Sequence, residues 1–199
     1  MFSWLALGDS YTVGEGVEQP LTYPFQTAAI LRKDGIPLDP PFVIAKTGWT
    51  TSELEEAIGQ AELKPYYDVV SLLIGVNNQF RELPLKAYES DFERLLKRSI
   101  TLSGKHSRHV FVLSIPDWGV TPFAQGRDKA KIAAEIRLFN QANMALARRF
   151  DTNYINITPL SQEAANDNNL LTADGLHPSG KQYAKWSQLL SRQIKNILG

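Results

Sequence analysis

The chain has 199 residues, of which 43% are hydrophobic and 21% are charged, a size and composition typical of one compact domain with an ordinary buried core. Lysine and arginine together number 21, as do aspartate and glutamate, so no net positive field favours binding to nucleic acid. The absence of cysteine excludes disulfides, thiolate metal sites and a cysteine nucleophile.

Five short apolar segments, spread along the chain, predict buried β-strands. They cover residues 2–7, 42–45, 68–74, 109–115 and 153–157. Apolar residues at helical spacing predict helices over residues 52–63, 86–103, 129–150 and 183–197. Ser52 and Glu55 form a candidate capping box for the first of these helices. Pro178 is expected to open the last one.

Nearly all-apolar strands that alternate with helices predict a parallel sheet covered on both faces. The expected fold class is α/β, specifically a three-layer α/β/α sandwich with a parallel, flavodoxin-like sheet of about five strands. Ligands of open α/β sheets bind at the carboxyl ends of the strands. The residues that follow each predicted strand are therefore the first candidates for a functional site.

Small and polar residues follow the predicted strands and would converge on one edge of the sheet. In chain order they are Asp9 and Ser10, Gly48, Asn77 and Asn78, Asp117 and Trp118, and, after a polar loop, Asp174 and His177. Taken singly, a strand-end serine usually caps a helix, and a loop asparagine usually satisfies its own backbone. Together these residues offer the nucleophile, base, orienting carboxylate and oxyanion donors that acyl transfer requires.

Asp174 lies three residues before His177 in a loop. At this spacing the carboxylate is close enough to fix the imidazole tautomer through Nδ1. The pair therefore predicts a general base with its orienting group, and Ser10 is the candidate nucleophile.

Four blocks of this sequence resemble, in order and approximate spacing, those of the SGNH (GDSL) hydrolase family. They are Gly8-Asp9-Ser10 at the first strand end, Gly48 after the second strand, Gly75-Val76-Asn77 after the third, and Asp174 with His177 near the C-terminus. Any one block is weak, but four in order form a specific signature. The resemblance covers essentially the whole chain and implies one catalytic domain over residues 1–199.

The resemblance implies a role for each matching residue. Ser10 would be the nucleophile, His177 the general base and Asp174 its orienting partner. The oxyanion hole would consist of the Ser10 and Gly48 backbone N–H groups and the Asn77 side-chain amide. Family members hydrolyse esters and thioesters of lipids, carbohydrates and small acyl compounds without a metal or organic cofactor, so we expect neither here.

Two positions depart from the family pattern. Asn78 stands where an aspartate is usual, so the loop must form its supporting hydrogen bonds differently, while Asn77 keeps the oxyanion position. Tyr11 replaces the usual leucine after the serine, which exchanges one packing residue for another.

Six residues beside the predicted site are candidate substrate contacts: Asp9, Asn78, Phe80, Arg81, Trp118 and Phe123. Trp118 and Phe123 belong to residues 116–128, a segment long for a strand-to-helix connection. It is either a wall of the substrate pocket or an ordinary surface loop. Arg81 would either meet an anionic substrate group or pair with Glu82. The expected partner is a small-molecule or acylated ester, and the sequence does not predict the oligomeric state.

Two alternatives to this interpretation stay open, and a third is excluded. The nucleophile elbow of the α/β-hydrolase fold is absent, because Ser10 has Gly8 before it but Thr12 after it. A non-catalytic ligand-binding module on the same fold remains an alternative. The other is a metal-assisted hydrolase that would use Asp9, Asp117, Asp174 and His177.

Integral membrane association is not expected, because no apolar run approaches the roughly 20 residues that span a bilayer. The first residues are too few and lack the basic start of a signal peptide. The default location is therefore cytoplasmic, although a secreted or periplasmic protein that had lost its leader would have the same sequence.

Overall fold

The computed structural model describes residues 1–199 and contains one parallel sheet of five strands in the order β2-β1-β3-β4-β5. The strands are β1 (Trp4–Gly8), β2 (Phe42–Ala45), β3 (Val69–Leu73), β4 (Val110–Leu113) and β5 (Asn153–Ile155). The helices are α1 (Ser10–Val13), α2 (Tyr23–Lys33), α3 (Thr51–Gln60), α4 (Val76–Phe80), α5 (Leu85–Leu102), α6 (Lys129–Arg149), α7 (Thr158–Gln162) and α8 (Gly180–Leu198). This strand order is flavodoxin-like, so the predicted α/β architecture is confirmed.

Helices cover both faces of the sheet. Helix α2 packs against α8, while α5 packs against both α3 and α6. The strands β1, β3 and β4 are buried along their whole length, as their continuous apolar sequences predict. Two polar groups inside this core bond to each other: the Trp4 indole N–H donates to the Ser71 hydroxyl at 3.0 Å. None of the helices combines the length and apolar character needed to traverse a membrane.

The start of α3 differs from the prediction. The N-cap is Thr50, whose backbone N–H donates to the Glu53 carboxylate at 2.8 Å, so the predicted capping pair of Ser52 and Glu55 is wrong. Glu55 instead forms an ion pair with Arg98 at 2.8 Å. The capping pattern, a hydroxyl residue followed three positions later by glutamate, occurs at Thr50 and again at Ser52. Tertiary contacts select the pair that begins at Thr50.

Two other helix predictions need correction. Helix α8 begins at Gly180 rather than at Pro178, because Pro178 pairs with Leu171 in an isolated antiparallel bridge. Helix α2 was not predicted. Its buried face includes Thr27 and Ala28, which are too small and polar to give a clear apolar stripe.

Candidate active site

A cavity of about 140 Å³ opens at the carboxyl edge of the sheet. Five segments of the chain line it, contributing Ser10, Tyr11, Thr47, Gly48, Val76, Asn77, Phe80, Trp118, Phe123, Leu176 and His177. The fold therefore brings Ser10, Gly48, Asn77 and His177 to one space, although they are far apart in sequence.

Ser10 is held at the cavity by a tight junction between β1 and α1. Asp9 is the N-cap of α1, and its Oδ1 accepts the Tyr11 backbone N–H at 3.0 Å. A side chain at position 8 has no room, since a Cβ there would lie 2.1 Å from Thr12 Oγ1. Ser10 is thus the first helical residue rather than the cap, and its backbone N–H has no acceptor within the protein.

Asp9 lies behind Ser10 and does not line the cavity. Its side chain is fully buried, and Oδ2 has no hydrogen-bond partner. Burial disfavours the charged form and raises the pKa of Asp9 to about 7, although the hydrogen bond from the Tyr11 N–H acts in the opposite direction. The expected contact of Asp9 with substrate is therefore absent from the cavity geometry.

Asp174 and His177 form a closely bonded pair. The distance from His177 Nδ1 to Asp174 Oδ2 is 2.6 Å, and residue His177 is 7% exposed. Asp174 Oδ1 accepts the backbone N–H groups of Leu176 at 2.9 Å and His177 at 3.0 Å, and the Thr172 hydroxyl at 2.7 Å. Partial burial would raise the pKa of the Asp174 carboxyl, but the hydrogen bonds from His177 and Thr172 together hold it well below its ordinary value.

The Ser10 hydroxyl and the His177 ring line the same cavity but are not joined by a hydrogen bond. Hydrogen bonds between catalytic groups are often long in the absence of substrate and shorten in the complex. The ring of His177 packs on Tyr11, with 5.4 Å between ring centroids. This packing and the Asp174 bond together fix the orientation of the imidazole.

Three N–H donors border the cavity. The Ser10 and Gly48 backbone N–H groups have no acceptor within the protein. Gly48 has φ of +88°, a left-handed conformation that favours glycine. The Asn77 amide donates one hydrogen to the Trp49 carbonyl at 2.9 Å, which orients the group and leaves its second hydrogen free.

Asn78 points away from the cavity and fastens α4 to the start of α3. Its Oδ1 accepts the Thr51 backbone N–H at 3.1 Å, and its Nδ2 donates to the Thr51 hydroxyl at 2.8 Å. That hydroxyl donates in turn to Asp91 at 3.1 Å. The side chain is buried, so the structure does not support the prediction that Asn78 contacts substrate.

Arg81 supports the Gly48 turn. Its guanidinium donates to the Gly48 carbonyl at 2.6 Å and lies 3.4 Å from the Glu53 carboxylate. The predicted pairing with Glu82 is wrong, because Glu82 bonds Lys131 at 3.0 Å. Arg81 does not line the cavity, so the expected contact with an anionic substrate group is also absent.

Three aromatic side chains form one wall of the cavity. Phe80, Trp118 and Phe123 all line it, and residues 116–128 contain two short 3₁₀ turns rather than an extended surface loop. The Trp118 indole donates to Gln79 Oε1 at 2.8 Å. Of the two readings of this segment, the pocket wall is the one that the geometry favours.

Sequence reasoning did not identify four of the lining residues: Tyr11, Thr47, Val76 and Leu176. Thr47 and Val76 lie just after β2 and β3, so their position at a strand end was a usable signal. Leu176 lies between Asp174 and His177, and no sequence pattern distinguishes it from an ordinary loop residue.

The donors proposed for the metal alternative do not form a metal-binding cluster. Asp9 caps α1, while Asp117 accepts the Gly119 N–H at 2.9 Å and the Gln162 amide at 2.9 Å. Only Asp174 contacts His177. The arrangement therefore fits an imidazole oriented by a carboxylate and not a group of metal ligands.

Solved structures with the same fold are similar over nearly the whole chain. A lipase/acylhydrolase from Enterococcus faecalis is 20% identical, with a TM-score of 0.77 over 100% of this chain and 98% of that one. A variant of an acetyl xylan esterase from Geobacillus stearothermophilus is 16% identical, with a TM-score of 0.75 over 97% and 94%. The psychrotrophic esterase EstA from Pseudoalteromonas sp. is 16% identical, with a TM-score of 0.73 over 98% of both chains.

The protein is a hydrolase that acts on ester bonds. The chain belongs to the GDSL-like lipase/acylhydrolase family, whose model matches residues 6–185. No curated protein sequence matches it. The family supports an enzyme over the alternative of a non-catalytic ligand-binding module.

Proposed function

We propose that this enzyme cleaves carboxylic or thioester bonds of small acyl substrates through an acyl-enzyme on Ser10. His177 is the general base and Asp174 orients it. The observation that carries this proposal is the buried His177 ring, bonded to Asp174 at 2.6 Å and lining the same cavity as Ser10. We propose further that residues 1–199 act as one catalytic domain, because a single continuous core underlies the sheet.

The reaction follows from the assigned atoms. Because Nδ1 donates to Asp174, Nε2 is the unprotonated nitrogen that accepts the Ser10 proton as Oγ attacks the acyl carbon. Collapse of the tetrahedral intermediate breaks the bond to the leaving oxygen or sulfur, which takes the proton from Nε2. Water, deprotonated by the same nitrogen, then attacks the acyl-enzyme, and the released Ser10 oxygen recovers the proton.

The negative charge on the acyl oxygen requires donors that are already oriented. The free N–H groups of Ser10 and Gly48 and the second amide hydrogen of Asn77 support this assignment. Arg81 holds the Gly48 carbonyl and Trp49 holds the Asn77 amide, so both donors are fixed before substrate arrives.

The cavity size supports a short acyl group. Its volume of about 140 Å³ is close to the roughly 150 Å³ of an apolar cavity that accommodates benzene. Val76, Phe80 and Leu176 give it an apolar lining suited to a few methylene groups. The similarity in fold to an acetyl xylan esterase is consistent with this size.

The proposal is tested by the kinetics of Ser10→Ala and His177→Ala on para-nitrophenyl acetate. Each substitution should lower kcat roughly 10³-fold or more, and the double variant should be little worse, because the two groups act as a unit. Ser90→Ala is the matched control, since Ser90 is exposed on α5 and outside the cavity. Wild-type turnover by purified Ser10→Ala would overturn the proposal.

A further inference from the structure

One guanidinium group lies over three aromatic rings at the edge of the cavity. The Arg127 guanidinium carbon is 5.0 Å from the Phe80 ring centroid, 5.4 Å from that of Trp118 and 5.7 Å from that of Phe123. Arg127 is exposed and forms no ion pair with any carboxylate of the protein. Its charged group therefore interacts chiefly with the three rings, which attract a cation through their π faces.

The rings separate Arg127 from Ser10. Phe80, Trp118 and Phe123 line the cavity that contains Ser10, whereas Arg127 lines a neighbouring cleft. Phe80 and Trp118 line both spaces, so they form the partition between them. Arg127 thus contacts the aromatic wall of the cavity on the side that faces away from Ser10.

The rings of Phe80 and Phe123 belong to segments on opposite sides of the active site. Phe80 is the last residue of α4, the helix that carries Asn77. Phe123 donates its backbone N–H to the Gly175 carbonyl at 3.1 Å, and Gly175 lies in the loop that holds His177. The guanidinium therefore joins the oxyanion side of the cavity to the base side.

Phe80 and Phe123 depend on this contact more than Trp118 does. Trp118 is 4% exposed, and its indole N–H is bonded to Gln79. Residue Phe80 is 39% exposed and Phe123 41%, and neither side chain has a polar atom that could fix its rotamer. Without the guanidinium, the Phe80 and Phe123 rings would be held only by packing against Trp118 and each other, and could turn outward and lengthen the cavity.

The charges in the cleft around Arg127 do not favour recognition of an anionic substrate group by this residue. The cleft also contains Glu82, Asp128 and Glu135, and its only other cation, Lys131, already lies 3.0 Å from Glu82 and 3.7 Å from Glu135. An anion there would meet more negative than positive charge.

We propose that Arg127 is a positioning residue that limits acyl-chain length by holding Phe80 and Phe123 together as the end wall of the cavity. This inference rests on the proposed hydrolysis at Ser10, and it adds the element that selects among acyl groups.

The test compares kcat/KM for para-nitrophenyl acetate, butyrate, octanoate and decanoate in Arg127→Ala, Arg127→Gln and Arg127→Lys. The ratio of octanoate to acetate should rise roughly fivefold or more in the Ala and Gln variants, because all three ring contacts are lost, including those that hold Phe80 and Phe123. Lysine keeps a cation that can lie over the rings, so Arg127→Lys should be intermediate. Arg137→Gln removes the same charge from an exposed position outside the cavity and should leave the ratio unchanged.

Two outcomes would overturn the inference. A purely structural role would lower kcat/KM by the same factor for every chain length and would shift the thermal midpoint without changing the ratio. A role in anion recognition would instead lower the rate on the mono-para-nitrophenyl ester of glutaric acid relative to the neutral valerate ester, again with no change in the octanoate-to-acetate ratio.

Failure of the inference and failure of the proposed function are distinguishable. Ser10→Ala is measured on the same esters. If Ser10→Ala is inactive on all of them while the ratio stays constant in the Arg127 variants, only the role of Arg127 is overturned. If Ser10→Ala keeps full activity, the proposed function fails first.

Discussion

The residues that line the cavity, or bond directly to a residue that lines it, differ in environment from residues of the same type in the layer behind them. Asp174, bonded to His177, has a side chain 42% exposed and takes part in four hydrogen bonds, which hold its pKa well below the ordinary value. Asp9, behind Ser10, is fully buried and accepts one backbone N–H on Oδ1 and nothing on Oδ2, and its pKa is raised to about 7. The number of donors and the degree of burial, rather than residue type, decide which carboxyl stays charged.

The two adjacent asparagines show the same contrast. Asn77 faces the cavity with one amide hydrogen free, whereas Asn78 uses both ends of its amide to bind Thr51. We therefore expect substitution of Asn77, or of Asp174 beside His177, to lower turnover, and substitution of Asn78 or Asp9 to change stability.

Among these aspartates and asparagines, the largest expected effect is that of Asp174→Asn. The amide would favour the wrong imidazole tautomer, so kcat should fall by about 10³- to 10⁴-fold with little change in fold. The measurement is steady-state kinetics together with the circular dichroism spectrum. Asp167→Asn is the matched control, because Asp167 also accepts a backbone N–H two residues ahead but lies outside the cavity. Equal losses in the two variants would contradict a specific role for Asp174.

Asn77→Ala should give the next largest loss. Its free N–H meets charge that develops only in the transition state, so kcat should fall roughly 10²- to 10³-fold with KM nearly unchanged. Asn78→Ala is the adjacent comparison, with a much smaller effect on kcat. A large kcat loss in Asn78→Ala and none in Asn77→Ala would mean that the oxyanion donor is displaced by one residue.

Asp9→Asn should change the pH dependence of stability rather than of catalysis. A carboxyl whose pKa is raised from 3.8 to about 7 stabilises the fold fully below pH 3.8, and this contribution is lost as the pH rises through about 7. Wild type should therefore lose up to about 4 kcal/mol of unfolding free energy relative to Asp9→Asn between pH 4 and pH 8. Urea titrations of both proteins across this range measure the difference.

The pH profile of catalysis provides the control for Asp9. The general base must be neutral to accept a proton, so kcat/KM should rise with pH to a plateau, while Asp174 stays ionised because its pKa is held low. This rise should persist in Asp9→Asn. Its disappearance in that variant would assign the titration to Asp9 and contradict the histidine base.

The smallest expected effect is the stability change in Asn78→Ala. Two buried hydrogen bonds to Thr51 are lost, so the free energy of unfolding should fall on the order of 1 to 3 kcal/mol. Asn78→Asp restores the family residue and should stay active. Its carboxylate would compete with Asp91 for the Thr51 hydroxyl proton, so stability should fall slightly. Denaturation midpoints rank the three proteins.

The sheet was predictable because continuous apolar strands such as β3 must be buried on both faces. The cavity residues Ser10, Gly48 and Asn77 were predictable because each follows a strand whose carboxyl end faces the same edge. Their neighbours Asp9 and Asn78 do not line the cavity, and no sequence pattern indicated this. Adjacent residues in a tight turn point in opposite directions, and only the packing of α1 and α4 decides which one faces the cavity.

Contacts between distant segments could not be predicted. Arg81 pairs with Glu53 rather than Glu82, and Arg127, in the connection before α6, lies over the ring of Phe80 in α4. These partners depend on how α3, α4 and the 116–128 segment pack together, and no local pattern encodes that packing.

The central claim is that Ser10 is the nucleophile, and covalent labelling tests it most directly. The wild-type enzyme is incubated with a fluorophosphonate, and intact-mass and peptide mass spectrometry locate the adduct. We expect one adduct per chain, on the peptide containing Ser10, with no label on Ser10→Ala and full label on Ser90→Ala. An adduct on any other residue, or equal labelling of Ser10→Ala, would contradict the account.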